Sequence, residues 1–581
     1  MCGIFALLNS DGLSLKTIEN EFMKGKNRGP EFSKLESNLI KMTIGFHRLA
    51  INGLNEESNQ PLIINDIVLI CNGEIYNYKQ LYKQMNIEPT TGSDCEVIIH
   101  LFLKYGIEQT LNMLDGVFAF ILFDNRITDD LNNKVYVARD PYGVRPLYQL
   151  STNCVDGMIG FASELKCLEY FYNMNHQSSK INQFKPGTYS VYNLSNKVHA
   201  YWECTDYKNT PYFIPSFSYN RNITLQKESI NCFNEFYEQI AYYLQMAVDK
   251  RCLATERPVA CLLSGGLDSS LITALVNNYY NKNQLGIQLE TYSIGLKGSE
   301  DLKYAKLVAE WLNTKHTEII VTEREMFEAI PQVIYAIESY DTTSVRASIG
   351  NYLLGKYIAA HSQAKVIFNG DGSDELLGGY LYMNKCPDDI EFDKETRRLL
   401  KDIHLFDVLR SDKSISSHGL EPRTPFLDRN FVNYVLSIPA YYRNHNNFGV
   451  SEKTILRTSF SEFNFKDYLM RKLLPDKILW RKKEAFSDGV STHGRSLYQI
   501  LQEYISVDLN IEENTDAFKP DIISEKYYYK KIFDGLFPNC EKIVPYFWMP
   551  KYTNATDPSA RTLDIYSKTS TNQSQPVSVD L

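Results

Sequence analysis

Residues 2–202 carry short apolar runs of strand length, at 42–51, 67–71, 117–123 and 134–138, separated by turn-rich loops and a few helical stretches. Such runs, rich in β-branched and aromatic side chains and bounded by turn residues, predict sheets with helices outside them. The texture changes over 204–226, where Asn, Tyr, Pro and Ser dominate without a sustained period, which marks an interdomain connection. Beyond it strands at 258–263, 290–295, 317–321 and 365–368 alternate with helical patterns such as 269–276 and 301–312. That alternation predicts an α/β domain with a doubly wound parallel sheet. From about residue 393 the pattern is mostly helical, and after 561 it is too polar to bury a core, which predicts a flexible tail. The chain thus divides into 1–205, a linker or insertion at 206–230, a second domain at 231–551 and a C-terminal segment at 552–581.

Length and charge narrow the classes. A chain of 581 residues with a formal net charge of −9 has room for several cores and no basic excess for nucleic acid. Its 11 cysteines are odd in number and lack paired CxxC spacing, and its 10 histidines form no HExxH group, which argues against zinc and against a secreted disulfide framework. A reducing, cytoplasmic setting is expected. The N-terminus has no basic n-region, and no apolar run approaches the ~18 residues of a membrane span, so neither a signal peptide nor a membrane partner is expected.

The chemistry begins at Met1-Cys2-Gly3-Ile4-Phe5. Removal of Met1 would give Cys2 both a thiol and a free α-amine, whose pKa of about 7.7–8.0 suits it to accept the thiol proton. Polar groups that could serve such a nucleophile cluster in Gly45-Phe46-His47-Arg48-Leu49, Cys71-Asn72-Gly73-Glu74 and Thr91-Gly92-Ser93-Asp94. Asn72 (side-chain amide) and Gly73 (backbone N–H) could form an oxyanion site. Arg48 could fork onto a substrate carboxylate while Asp94 accepts from its ammonium.

A second set lies in the α/β region. The strand at 258–263 runs into Ser264-Gly265-Gly266-Leu267-Asp268-Ser269-Ser270 and a helix, which places N–H groups and hydroxyls where polyphosphate is favoured. The lysine of a Walker A loop is absent, and Asp268 suggests a magnesium-bridged pyrophosphate. A second acidic loop, Asn369-Gly370-Asp371-Gly372-Ser373-Asp374-Glu375, also follows a strand end, the ligand edge of an open α/β sheet.

Residues 2–202, including Ala138-Arg139-Asp140-Pro141-Tyr142-Gly143-Val144-Arg145-Pro146, resemble the class II glutamine amidotransferase domain. The resemblance implies an α+β N-terminal-nucleophile fold, a four-layer αββα sandwich, in which Cys2 takes glutamine to a glutamyl thioester and ammonia, with Arg48, Asn72, Glu74 and Asp94 binding the glutamine. The Ser264–Ser270 loop resembles the pyrophosphate loop of AMP-forming ATP pyrophosphatases, and discriminates against amidotransferases joined to phosphoribosyl or sugar-isomerase domains.

Ordered matches at Tyr292-Ser293-Ile294-Gly295, Thr342-Thr343-Ser344-Val345-Arg346, His418-Gly419-Leu420-Glu421-Pro422-Arg423, Glu452-Lys453 and Asp557-Pro558-Ser559-Ala560-Arg561 extend the likeness to the glutamine-hydrolysing asparagine synthetase family, to about residue 563. Cys2 separates the chain from β-lactam synthetase-like enzymes. The resemblance implies adenylation of the aspartate β-carboxylate, then displacement of AMP by ammonia. It implies that Leu263, Ser264, Gly265, Gly266, Asp268, Ser269, Ile294, Asn369 and Gly370 bind ATP. Thr343, Ser344, Arg346 and Asp374 would receive aspartate, Lys453 and Asp371 would be catalytic, Asp268 and Asp374 would hold Mg²⁺, and the protein would be a homodimer. Arg457 is a further candidate cation. Three positions depart from the family pattern: Asn369 in place of serine, Asp371 in place of glutamate, and Pro422 within the Glu-x-Arg segment.

Overall fold

The computed structural model describes residues 2–126, 133–153, 156–195, 200–204, 208–215, 230–449, 451–484, 489–491, 495–508, 523–560 and 563. Met1, most of the linker or insertion expected at 206–230, and the expected tail after 561 apart from Leu563 lie outside the described residues.

The first 200 residues build two antiparallel sheets. One has the order Ser179–Gln183, Tyr148–Thr152, Ile159–Ala162, Gly3–Leu8, Met42–Arg48, Phe32–Leu39. The other runs Trp202–Glu203, Thr188–Leu194, Lys134–Arg139, Gly116–Asp124, Ile67–Ile75, Leu62–Ile64, with Thr210–Pro211 also on Thr188–Leu194. Strand alternation sends Ile4, Ala6 and Leu8 into a core shared with Val68, Ile70, Ala119 and Ile121 of the other sheet. Phe5 and Leu7 face the opposite way, against Ile18 and Phe22 of the helix Leu15–Met23. On the far side of the second sheet, Leu69, Cys71, Phe118 and Phe120 pack on Leu81 and Tyr82 of the helix Tyr78–Met85 and Ile98, Leu101 and Phe102 of the helix Val97–Met113.

The third sheet is parallel throughout, in the order Lys315–Ile320, Glu290–Gly295, Val259–Leu262, Val366–Phe368, Glu421–Arg423. Both faces are buried, as parallel sheets require. Val259 and Cys261 join Leu271 and Leu275 of the helix Leu267–Lys282, while Ala260 and Leu262 join Val345 and Ile349 of the helix Thr342–His361. Strand order reverses between Val259–Leu262 and Val366–Phe368. The loops that leave these two strands therefore flank the switch point where open α/β sheets bind ligands.

The two halves meet along a buried seam of ion pairs. Arg28 pairs with Glu164 and with Asp412, each at 2.8 Å, and Arg145 reaches Asp412 at 3.4 Å and Glu421 at 3.5 Å. Lys413 bridges Glu164 (3.2 Å) and Glu338, whose carboxylate also accepts from the backbone N–H groups of Leu165 and Lys166. Arg423 lies 2.8 Å from Glu421 and 3.3 Å from Glu74, and donates to the Ala254 carbonyl at 2.8 Å.

Because an unpaired buried charge is costly, Arg423→Met is expected to destabilise the protein by about 3–5 kcal/mol. A urea midpoint unchanged from wild type, followed by tryptophan fluorescence, would contradict this account of the seam.

Candidate functional site

Cys2 opens the strand Gly3–Leu8 and is held at three points. Its backbone nitrogen donates to Asn72 Oδ1 at 3.1 Å, its carbonyl accepts from Arg28 Nε at 3.0 Å, and its Sγ lies 3.7 Å from the Leu49 carbonyl. Burial raises the thiol pKa, against the lowering effects of the N-terminal charge, the Leu49 contact and Arg48. The thiol therefore needs a base rather than being a preformed thiolate.

Asn72 is fully buried on the strand Ile67–Ile75, where with Oδ1 committed to the Cys2 nitrogen, Nδ2 is the donor left for a ligand; it also lies 3.4 Å from Ser163 Oγ. Ser163 in turn accepts from the Ile4 N–H at 3.1 Å. Gly73 has a packing reason as well as a chemical one: a Cβ there would meet the Val117 carbonyl at 2.7 Å and Phe118 Cβ at 2.8 Å.

Arg48 is built into the loop that follows its own strand. Its terminal nitrogens donate to the carbonyls of Asn55 (2.9 Å), Asn52 (3.3 Å) and Gly53 and to Asn59 Oδ1 (2.7 Å). A fork onto a ligand through both terminal nitrogens would have to displace two of these acceptors, and one through Nε and a terminal nitrogen would displace one, a constraint the sequence did not reveal. Asp94 accepts from the Ile75 N–H at 2.6 Å, and burial raises its pKa to about 6. Glu74 faces the seam, accepting from Asn52 Nδ2 (2.8 Å) and Arg423 (3.3 Å), and burial first, then Asp94, holds it well above the usual carboxylate range.

The second site is a cleft at the sheet switch point, with about 1400 Å³ of empty space out to its open mouth. Leu263, Ser264, Gly266, Asp268, Ser269, Ile294, Thr343, Asn369, Gly370, Asp371, Asp374, Lys453 and Arg457 all line it. Gly265 turns beneath it at φ +73°, where a Cβ would strike the Ala305 N–H at 2.4 Å. Ser264 Oγ and Ser269 Oγ lie 3.0 Å apart across the turn. Gly370 lets the acidic loop close on this turn, since a Cβ there would meet Asp268 and Ser269 backbone at 2.8 Å.

Charge concentrates at the meeting of the loops. Lys453 Nζ donates to both Asp268 oxygens (2.8 and 2.7 Å) and lies 2.5 Å from Asp374 Oδ1. Lys483 reaches Asp374 Oδ2 at 2.5 Å and Asp268 at 3.7 Å. Burial alone would raise the Asp374 carboxyl, but Lys453 and Lys483 hold it below the usual range. Gly379 makes room for this crossing, because a Cβ would overlap Lys453 Cε. Beside it Arg410 contacts Asp371 (3.3 Å) and Asp407 (2.6 Å), and Tyr380 donates to Glu375 (2.5 Å) and Asp407 (3.0 Å). Asn369 donates to Ser411 Oγ at 2.7 Å.

Three expected residues are spent elsewhere. Arg346 is buried between Glu525 and Asp557, with contacts of 2.5–2.8 Å to both carboxylates. Ser344 donates to Asp341, which caps the helix Thr342–His361. The face of that helix turned to the cleft is Thr343, Ala347 and Asn351, a spacing of four that helical periodicity could have picked out. Arg457 lines the cleft but donates to the Glu452 side chain and carbonyl (Nε, 2.8 Å) and to the Leu479 carbonyl (2.6 Å). Lys483, Arg410, Asp407 and Tyr380 were not foreseen; Arg481-Lys482-Lys483 is a visible basic run, but nothing local ties it to Asp374.

A family model described as a glutamine amidotransferase domain matches residues 1–202, and one described as asparagine synthase matches 239–391 and 385–555. Among curated proteins, the chicken (Gallus gallus) asparagine synthetase [glutamine-hydrolyzing] is 42% identical, over 97% of this chain and 99% of that one. The human protein of the same name is 39% identical over 97% and 99%, and the rat protein 39% over 98% and 100%. The chain belongs to the glutamine-hydrolysing asparagine synthetase family.

Proposed function

We propose that this protein makes asparagine from aspartate, ATP and glutamine, releasing AMP, pyrophosphate and glutamate. The observation that carries the reading is the pairing, in one chain, of a Cys2 nitrogen held on Asn72 with a Lys453–Asp268–Asp374 cluster at the switch point. Residues 1–205 form the glutaminase domain, 206–230 the connection, 231–551 the synthetase domain and 552–581 the C-terminal segment. The matches over 1–202 and 239–555 support this division. The face-to-face sheets with helices on both outer sides support the four-layer N-terminal-nucleophile sandwich. The enzyme acts as a cytosolic homodimer, the cytosol being supported by the free thiols of nine of the described cysteines.

With Met1 removed, the α-amine of Cys2 takes the thiol proton and sulfur attacks the glutamine amide carbon. Asn72 Nδ2 and the Gly73 N–H stabilise the oxyanion, and as it collapses the α-ammonium returns the proton to the departing nitrogen, giving a thioester and ammonia. Asp94 receives the substrate ammonium, Glu74 lies beside it, and Arg48 supplies positive charge and its Nε to the carboxylate. Water then releases glutamate.

In the second cleft the Ser264–Ser269 turn receives the phosphates and Leu263 and Ile294 flank the base. The aspartate carboxylate oxygen attacks the α-phosphorus, and the bond to the bridging pyrophosphate oxygen breaks. Lys453 neutralises charge in this step, beside Lys483. Asp268 and Asp374, all-oxygen donors already sharing one cation, fit Mg²⁺, which takes few protein carboxylates and completes its shell with phosphate and water. When bound it would offset phosphate charge. Thr343 and the backbone around Gly370 lie where the acceptor would sit, with Asp371 positioned by Arg410. Leu49 at the first site and Leu263 at the second belong to one continuous apolar cluster that also contains Tyr76, Val117, Tyr142 and Val144. That cluster makes the interior between the sites apolar, as passage of ammonia in its uncharged, reactive form would need.

Amide-¹⁵N glutamine should give labelled asparagine, identified by mass spectrometry. Cys2→Ala should abolish this while leaving synthesis from ammonium salts; equal loss of both would refute the division of labour. Lys453→Ala should lower ammonium-dependent kcat about 10²–10³-fold, and a variant within threefold of wild type would remove Lys453 from the chemistry. Since Asp94 titrates at about 6, it loses its charge below that pH. The KM for glutamine should therefore rise as pH falls through 6, and Asp94→Asn should flatten that limb.

A further inference from the structure

We infer that Asp412, a residue of the synthetase half, is a positioning residue for the Cys2 nucleophile. The helix Asp407–Ser416 runs from one site to the other. At its start Asp407 and Arg410 line the ATP cleft. At its end Asp412 and Ser416, four residues apart and so on one face, meet Arg28. Asp412 Oδ1 lies 2.8 Å from Arg28 Nη1, and the same nitrogen donates to Ser416 Oγ at 2.9 Å. Arg28 Nε then donates to the Cys2 carbonyl at 3.0 Å. Arg28, Asp412 and Ser416 are at most 2% exposed, so neither water nor a mobile side chain substitutes for them.

Arg28 has a competing partner in its own domain, Glu164 at 2.8 Å. Glu164, Asp412 and Ser416 all meet the same nitrogen, Nη1, and with Asp412 and Ser416 in place that nitrogen is shared between the halves while Nε is aimed at Cys2. Neutralising Asp412 leaves the pull of Glu164 unopposed and turns Nε away from the carbonyl. The Cys2 main chain, pinned at nitrogen by Asn72 and at the carbonyl by Arg28, then loses one of its two fixed points. The sulfur and the amine that serves it shift together relative to Asn72 and Gly73. The nucleophile of one domain is thus complete only when the helix of the other is docked. This inference rests on the assignment of Cys2 as the glutaminase nucleophile.

The test uses the full-length enzyme with Met1 removed. Asp412→Asn should lower the kcat for glutamate formation about tenfold, as expected for a reacting group displaced by a fraction of an ångström. The KM for glutamine and the ammonium-dependent kcat should each stay within about twofold, since neither substrate site is touched. The rate of Cys2 alkylation by iodoacetamide should fall with the glutaminase, and Asp412→Glu should recover most of both. Ser416→Ala removes no charge and covers the case in which Asp412→Asn fails to fold; it should give a smaller loss with the same selectivity. Unchanged glutaminase in the folded variants, or equal loss of the glutamine and ammonium reactions in Ser416→Ala, would overturn the inference. Glutaminase surviving in Cys2→Ala would instead overturn the nucleophile assignment beneath it.

Discussion

Five cations and five carboxylates, all nearly withdrawn from water, fill the junction of the two halves: Arg28, Arg145, Lys166, Lys413 and Arg423 against Glu74, Glu164, Glu338, Asp412 and Glu421. Each ion would be costly alone, and each is compensated only at one relative placement of the halves. An apolar junction of the same area would tolerate sliding, because dispersion and apolar burial are not directional. Charges that must meet at 2.8 Å do not tolerate it. The energetic yield of such a network is small, since desolvation consumes most of the attraction, so its structural effect is register more than stability.

Register is what the chemistry requires. The first site produces a small neutral nucleophile that protonation disables, and the second consumes it at an activated acyl group. The first site draws its reacting groups from its own half, but the same apolar cluster extends from Leu49 to Leu263, and Arg423 reaches from the edge strand of the parallel sheet to Glu74 beside the glutamine site. A lateral shift of a few ångströms would open that shared core to water. The ion pairs thus guard an apolar interior whose own cohesion would not fix its alignment.

Much of this was legible in the chain. The predicted strands at 42–51, 67–71, 117–123 and 134–138 lie at Met42–Arg48, Ile67–Ile75, Gly116–Asp124 and Lys134–Arg139, and 290–295 coincides with Glu290–Gly295. Those runs are strand-length stretches of β-branched and aromatic residues bounded by turn residues, so composition and length suffice. Glu421–Arg423 escaped because three residues, one of them proline, carry no period; the segment is a strand only because Val366–Phe368 lies beside it. The loop at Ser264 was legible as a helix-opening glycine turn and that at Asn369 as an acidic loop after a strand end, whereas their adjacency depends on strand order, which no local pattern encodes. Lys483 and Arg410 escaped for the same reason: their partners Asp374 and Asp371 are distant in sequence. Arg346 illustrates the opposite error, a charge next to cleft residues in sequence but a different phase of the helix, turned toward Glu525 and Asp557.

The departures from the family pattern are absorbed by the surroundings rather than left as defects. Pro422 has no N–H to donate, and it lies on the outermost strand of the parallel sheet, where one side of the backbone has no ladder partner to disappoint. Its carbonyl accepts from Arg145 at 3.4 Å, so the substitution sits within the ion seam. Asn369 uses its amide to donate to Ser411 and to accept from the Asp371 N–H at 3.3 Å, holding the acidic loop from both ends. Asp371 is shorter than glutamate by one methylene, and its carboxylate lies 3.3 Å from Arg410, which also pairs with Asp407. Arg410 and Asp412 ride on one helix, so a change at the acceptor loop and the positioning of Cys2 are borne by the same rigid element.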